Sequence, residues 1–166
     1  MCLILDTNRF GDALSTPVPD AYKPLLRWLT DPQGDGALVL GGTKYRAEIA
    51  RHQSARRFFV EQLRAGRAIR IEDAAVDEEE KRLQADEACS SDDEHVIALA
   101  RASGARVVCT EDQALWVDLK NKALLDSPRG RVYRTADHTG LLHHDPGCRR
   151  PPNKSAPARK DRGRAR

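Results

Sequence analysis

The sequence predicts an α/β fold in which a central, mostly parallel sheet is flanked by helices. Three observations predict it. Met1-Cys2-Leu3-Ile4-Leu5 is a continuous apolar run of strand length that stops at Asp6, as expected of a strand covered on both faces. A second such run, Ala37-Leu38-Val39-Leu40, follows a helical segment and a turn cluster. The stretch from Ser91 to Asp112 then reads as one helix-strand unit. It opens with acids suited to a helix N-terminus, continues as an Ala/Leu/Ile helix, stops at Gly104, and ends in β-branched residues beside another acid.

Taken in order, a short helix is expected over 9–14 after Asp6-Thr7-Asn8, broken by Ser15-Thr16-Pro17-Val18-Pro19. Helix resumes over 21–29, with Pro24 in its first turn and Leu25, Leu26, Trp28 and Leu29 on its apolar face. Asp31-Pro32-Gln33-Gly34-Asp35-Gly36 turns the chain into the strand over 37–40. Gly41-Gly42-Thr43 lead into one long helix over 44–65 that carries Glu48 in its first turns. Arg46, Arg51, His52, Arg56, Arg57, Arg64 and Arg67 either grip phosphates or keep this helix soluble. Residues 67–71 alternate like a half-exposed strand, and 74–88 read as a charged helix. Its acid run Asp77-Glu78-Glu79-Glu80 is expected to be a solvated face outside any site. Past Asp112, a short helix carries Asp118, Ser127-Pro128-Arg129-Gly130 form a loop, and Arg131-Val132-Tyr133 complete the sheet at an edge.

The 166 residues divide into one domain over 1–145 and a basic tail over 146–166. The net charge of +3 is uneven: the segment from Arg149 carries +7 and the preceding residues −4. Prolines, lysines and arginines without apolar anchors predict disorder in the tail. Arg149, Arg150, Lys154, Arg159, Lys160 and Arg162 are candidates for sequence-independent phosphate contacts, with a merely solubilising extension as the alternative. Cys2, Cys89, Cys109 and Cys148 lack CxxC pairing and read as reduced thiols, and His138, His143, His144 and Cys148 match no zinc spacing. The first apolar run is too short for a signal peptide or a membrane span, so a cytoplasmic protein away from membranes is expected.

The acids are far apart in sequence, but the expected topology gathers them. A helix that packs on the sheet before its own strand runs antiparallel to it. About eleven residues at ~1.5 Å match a five-residue strand at ~3.3 Å, so Asp93 and Asp112 face one crevice. Asp6 ends the first strand at that same carboxyl edge, and Glu48 follows the second strand there. Carboxylates in one crevice repel one another unless a cation joins them. Mg²⁺ and Mn²⁺ prefer oxygen ligands and retain waters, which suits in-line hydrolysis of a phosphodiester. No Ser/His/Asp, Cys/His or Gly-rich phosphate loop competes for the chemistry.

Leu5-Asp6-Thr7-Asn8, Glu48, Asp93-Glu94-His95-Val96-Ile97-Ala98-Leu99-Ala100 and Thr110-Glu111-Asp112 resemble, in order and in strand-end placement, the acidic motifs of PIN-domain nucleases. The resemblance covers residues 1–133 and excludes the tail. It implies a PIN-like three-layer fold and Mg²⁺- or Mn²⁺-dependent cleavage of single-stranded or structured RNA. Carried across, Asp6, Glu48, Asp93 and Asp112 are catalytic metal ligands, and Asn8 and Thr110 support them by hydrogen bonding. Asp92 and Asp93 compete for one role, and the helix phase favours Asp93. Asp118, six residues after Asp112, is either an outer ligand or a surface acid. The resemblance also brings in an antitoxin protein and a second copy of the chain as partners, with toxin, RNA-processing and defence roles all open.

Two other strand-Asp folds fit less well. A haloacid-dehalogenase-type phosphatase needs a second acid where Asn8 stands, and a receiver domain needs a phosphoacceptor Asp where Leu40-Gly41 end the middle strand. A PIN-like protein that binds RNA or a partner without cutting is the non-enzymatic alternative.

Overall fold

The structure is a computed structural model and describes residues 1–143. The expected tail, with Arg149, Arg150, Lys154, Arg159, Lys160 and Arg162, lies outside the described residues, as do His144 and Cys148. Strands β1 (Cys2–Leu5), β2 (Ala37–Leu40), β3 (Ala68–Arg70), β4 (Val107–Cys109) and β5 (Arg131–Tyr133) form one sheet in the order β3-β2-β1-β4-β5. Every pairing is parallel. All residues of β1, β2 and β4 are buried, which is why these strands are continuous apolar runs rather than alternating ones. The edge strand β3 keeps its alternation, with Ile69 buried and Arg70 exposed.

Helices α1 (Phe10–Ala13), α2 (Lys23–Thr30), α3 (Thr43–Arg51), α4 (Gln53–Arg64), α5 (Asp73–Ala85), α6 (Glu94–Ser103) and α7 (Gln113–Lys120) connect and flank the strands. No helix among the described residues is long and apolar enough to cross a membrane. Helix α6 is buried from His95 to Ala100, so its Ala/Leu/Ile composition reflects a helix enclosed nearly all round. Gly104 ends it in the left-handed conformation at φ 79°, which a residue with a Cβ adopts only at a cost.

The expected single helix over 44–65 is two helices. His52 is extended (φ −106°, ψ 108°) between α3 and α4. The apolar positions carry the reason: the six-residue step from Ile49 to Ala55 leaves helical phase, and the break turns Phe59 onto Phe10 at 5.7 Å between rings. Packing therefore overrides local helix propensity at His52.

The acid run on α5 also departs from expectation. The start of a helix leaves N–H groups without intrahelical partners. At α3 they are met from α5: Asp73 accepts the Gly42 N–H at 3.2 Å, and Asp77 accepts the Thr43 N–H at 2.7 Å and its hydroxyl at 2.6 Å. Thr43 holds the Asp77 carboxyl below its usual range. Gly42, at φ 83°, permits the approach, because a Cβ there would lie 2.7 Å from Cγ1 of Val76. Glu79 pairs with Arg101 on α6 at 2.6 Å. Asp77 and Glu79 thus join helices rather than forming a solvated face.

The thiols differ in one place from expectation. Cys89 and Cys109 are free, whereas Cys2 is disulfide-bonded.

Strand order decides where a site can form. The chain runs outward from β1 to β2 and β3, then crosses back to β4 and β5 on the other side of β1. The connections leaving β1 and β4 diverge, opening a crevice at their carboxyl ends. The Asp6 N–H donates to the Cys109 carbonyl at 3.0 Å, so pairing continues to the last residues before the crevice, and Asp6 and Thr110 leave the sheet side by side.

Candidate functional site

Asp6 is the anchor of the crevice. It is 3% exposed. Its Oδ2 accepts the Thr110 hydroxyl at 2.5 Å, and its Oδ1 accepts the Asn8 backbone N–H at 3.3 Å. The support from Asn8 therefore comes from its main chain, while its side chain is exposed. Thr110 is a hub: fully buried, it donates to Asp6 and accepts the Asp112 N–H at 3.0 Å. Asp112 caps α7 by accepting the Leu115 N–H at 2.9 Å. Each carboxylate oxygen of Asp6 makes one of these bonds and retains further lone-pair capacity.

Glu48 comes from the other side. The Tyr45 hydroxyl, one turn earlier on α3, donates to the Leu5 carbonyl at 2.6 Å and fixes the helix against the end of β1. Glu48 Oε2 accepts the Thr7 hydroxyl at 2.9 Å and lies 3.2 Å from His95 Nε2. That contact assigns the Nε2–H tautomer to His95. Its Nδ1 is buried without a hydrogen-bond partner and lies 4.0 Å from Asp93 Oδ1. Asp93 sits at the N-terminal boundary of α6 and interacts with Asp6 and Asp112, whereas the neighbouring Asp92 is exposed and offers only its carbonyl, to Lys44. On the rim, Arg9 pairs with Glu111 at 2.5 Å and joins the two strand ends.

The acids share one field. Burial raises the Asp6 carboxyl, and Asp112 and Glu48 raise it further, against the Thr110 and Asn8 hydrogen bonds. Burial also raises Asp93, helped by Asp6 and Asp112 and opposed by His95 and Lys44. Burial lowers His95, against the pull of Glu48 and Asp93. The donor set consists of hard oxygens with excess negative charge, which suits Mg²⁺ or Mn²⁺ rather than a softer metal. Among the described residues, no three His, Cys, Asp or Glu side chains close into a ready-made metal cage. The four acids instead act on one another electrostatically at the carboxyl edge of the sheet.

Asp118 is bound to the loop that precedes α6. It is fully buried, and both its oxygens accept hydrogen bonds from Ser90 and Ser91. It is not the surface acid that was one of its two alternatives; its oxygens serve the loop before α6, whose N–H groups need an acceptor. Conversely, Thr7, His95 and Lys44 were not singled out by residue type. Thr7 and His95 lie beside expected ligands in the motifs, but only the fold shows that both reach Glu48.

Replacing Thr110 with Val tests the hub. The variant is expected to lose about 1–3 kcal/mol in urea unfolding, because Asp6 and the Asp112 N–H both lose a buried partner. Carboxyl-carbon NMR titration is expected to show the Asp6 pKa rising further, since Thr110 is the strongest interaction lowering it.

Comparison with known proteins adds no identity: no family model, curated protein or solved structure matches the chain.

Proposed function

We propose that this chain is a PIN-like metal-dependent nuclease, an endoribonuclease that hydrolyses phosphodiester bonds with Mg²⁺ or Mn²⁺. The observation that carries the reading is the convergence of Asp6, Glu48, Asp93 and Asp112, from four separate segments, on the carboxyl edge where the strand order reverses. A divalent cation bound there would supply charge neutralisation and an activated water. The protein's own part is positioning. Thr110 and the Asn8 N–H hold Asp6, Thr7 and His95 hold Glu48, and the N-terminal boundary of α6 presents Asp93. RNA is the substrate, and the basic residues of the tail add phosphate contacts. Toxin, RNA-processing and defence roles are all open to such a nuclease; the toxin role would bring an antitoxin protein as partner, and a second copy of the chain is the other candidate partner.

The test is cleavage of labelled single-stranded RNA and DNA by the full chain in Mn²⁺, Mg²⁺ or EDTA. Cutting of RNA that requires the metal is expected. Salt-sensitive binding of RNA without cutting in either metal would instead support the non-catalytic alternative.

A further inference from the structure

Asp118 is a buried carboxylate with no basic side chain at hydrogen-bond distance among the described residues. Its partners are the Ser90 N–H at 2.7 Å, the Ser91 N–H at 2.9 Å and the Ser91 hydroxyl at 2.7 Å. Burying a charge is costly unless hydrogen bonds replace its hydration. Here three donors converge on one group, a demand that a carboxylate meets and an amide does not, since one end of an amide is itself a donor.

The donors of those bonds matter. Ser90 and Ser91 lie immediately before α6, and the Ser91 hydroxyl that donates to Asp118 also faces the Asp93 N–H at 3.4 Å. Asp118 itself belongs to α7, whose N-terminus is capped by Asp112. Six helical residues span about 9 Å at ~1.5 Å each. Helix α7 is therefore a strut: one end is fixed to the Asp112 carboxylate at the crevice, and the other grips the loop that delivers Asp93.

We infer that Asp118, acting through Ser91, is a positioning residue that sets Asp93 relative to Asp112 across the candidate site. This role rests on the nuclease reading. It predicts that loosening the Asp118–Ser91 link spreads the two crevice acids without removing either.

The experiment compares the full-length wild type with Asp118→Asn and Ser91→Ala. It reads Mn²⁺ affinity by calorimetry, kcat and KM on single-stranded RNA, and the thermal midpoint in EDTA. Loss of outer-shell support weakens metal binding or activity by about 10–100-fold. Both variants are expected to bind Mn²⁺ more weakly within that range and to lose kcat while KM for RNA stays near wild type, at a temperature where circular dichroism shows them folded. Ser91→Ala keeps both backbone N–H bonds to Asp118, so it decides the matter if Asp118→Asn does not fold. Variants that bind Mn²⁺ and turn over like wild type, with only a lower midpoint, would reduce Asp118 to a structural group and overturn the inference. A wild type that neither binds Mn²⁺ nor cuts RNA would overturn the nuclease reading itself, and this role with it.

Discussion

Asp6→Asn and Asp93→Asn are each expected to abolish metal-dependent RNA cleavage without unfolding the protein. The loss is expected to exceed the ~10–100-fold typical of removing a group that merely supports a ligand. Asn is close to Asp in size, so the packing of β1 and α6 is retained. At Asp6 the amide can donate to the Thr110 hydroxyl, which then reverses its role, and the Asn8 N–H keeps its acceptor. The substitution removes charge from a place where burial and neighbouring acids already oppose ionisation. Both variants are therefore expected to melt at or above the wild-type temperature in EDTA at neutral pH. Full cleavage by both variants would remove these acids from the chemistry. A fall in melting temperature by several degrees in EDTA would show instead that the charges support the fold.

Adding Mn²⁺ is expected to stabilise the wild type strongly at pH 7 to 8 and progressively less as the pH falls. Asp6 and Asp93 have folded-state pKa values raised above those of the unfolded chain. Between the unfolded and folded values, the native state binds more protons than the unfolded state. Metal-free stability therefore falls as pH rises through that window and stays low above it. A cation bound by the ionised carboxylates reverses this loss. At a free metal concentration of ~100 times the dissociation constant, the gain is about 2.7 kcal/mol. At ~2–4 °C per kcal/mol for a domain of this size, that corresponds to roughly 5–11 °C in thermal melting. Below the folded pKa values, protons compete with the metal and the gain shrinks. Equal stabilisation at low and neutral pH, or none at either, would mean that these acids do not bind the metal together.

The candidate site was legible to an unusual depth because its acids sit where sequence signals are strongest. Asp6 and Asp112 follow apolar strands, and Asp93 begins a helix that ends at Gly104. Strand, helix start and glycine stop each have local physical causes, so the sequence alone assigns Asp93 and Asp112 to one edge. Glu48 was legible for the weaker reason that it follows a strand; nothing local says that Tyr45 pins its helix to Leu5. Residues 44–65 show the opposite case. The out-of-phase step from Ile49 to Ala55 was present in the sequence, but helix propensity on both sides masked the break at His52.

By itself the sequence determined the α/β class, the strands of the sheet and the edge to which the four acids belong. These follow from hydrophobic period and chain punctuation, which act over a few residues. Only the tertiary structure decided what each polar side chain faces. Asp77 looked solvated and caps α3, Asp118 read as either an outer ligand or a surface acid and holds Ser90 and Ser91, and nothing along its own helix says that His95 touches Glu48. The reason is that a hydrogen bond is satisfied by whichever donor or acceptor the fold brings within about 3 Å, and that partner can be any distance away along the chain.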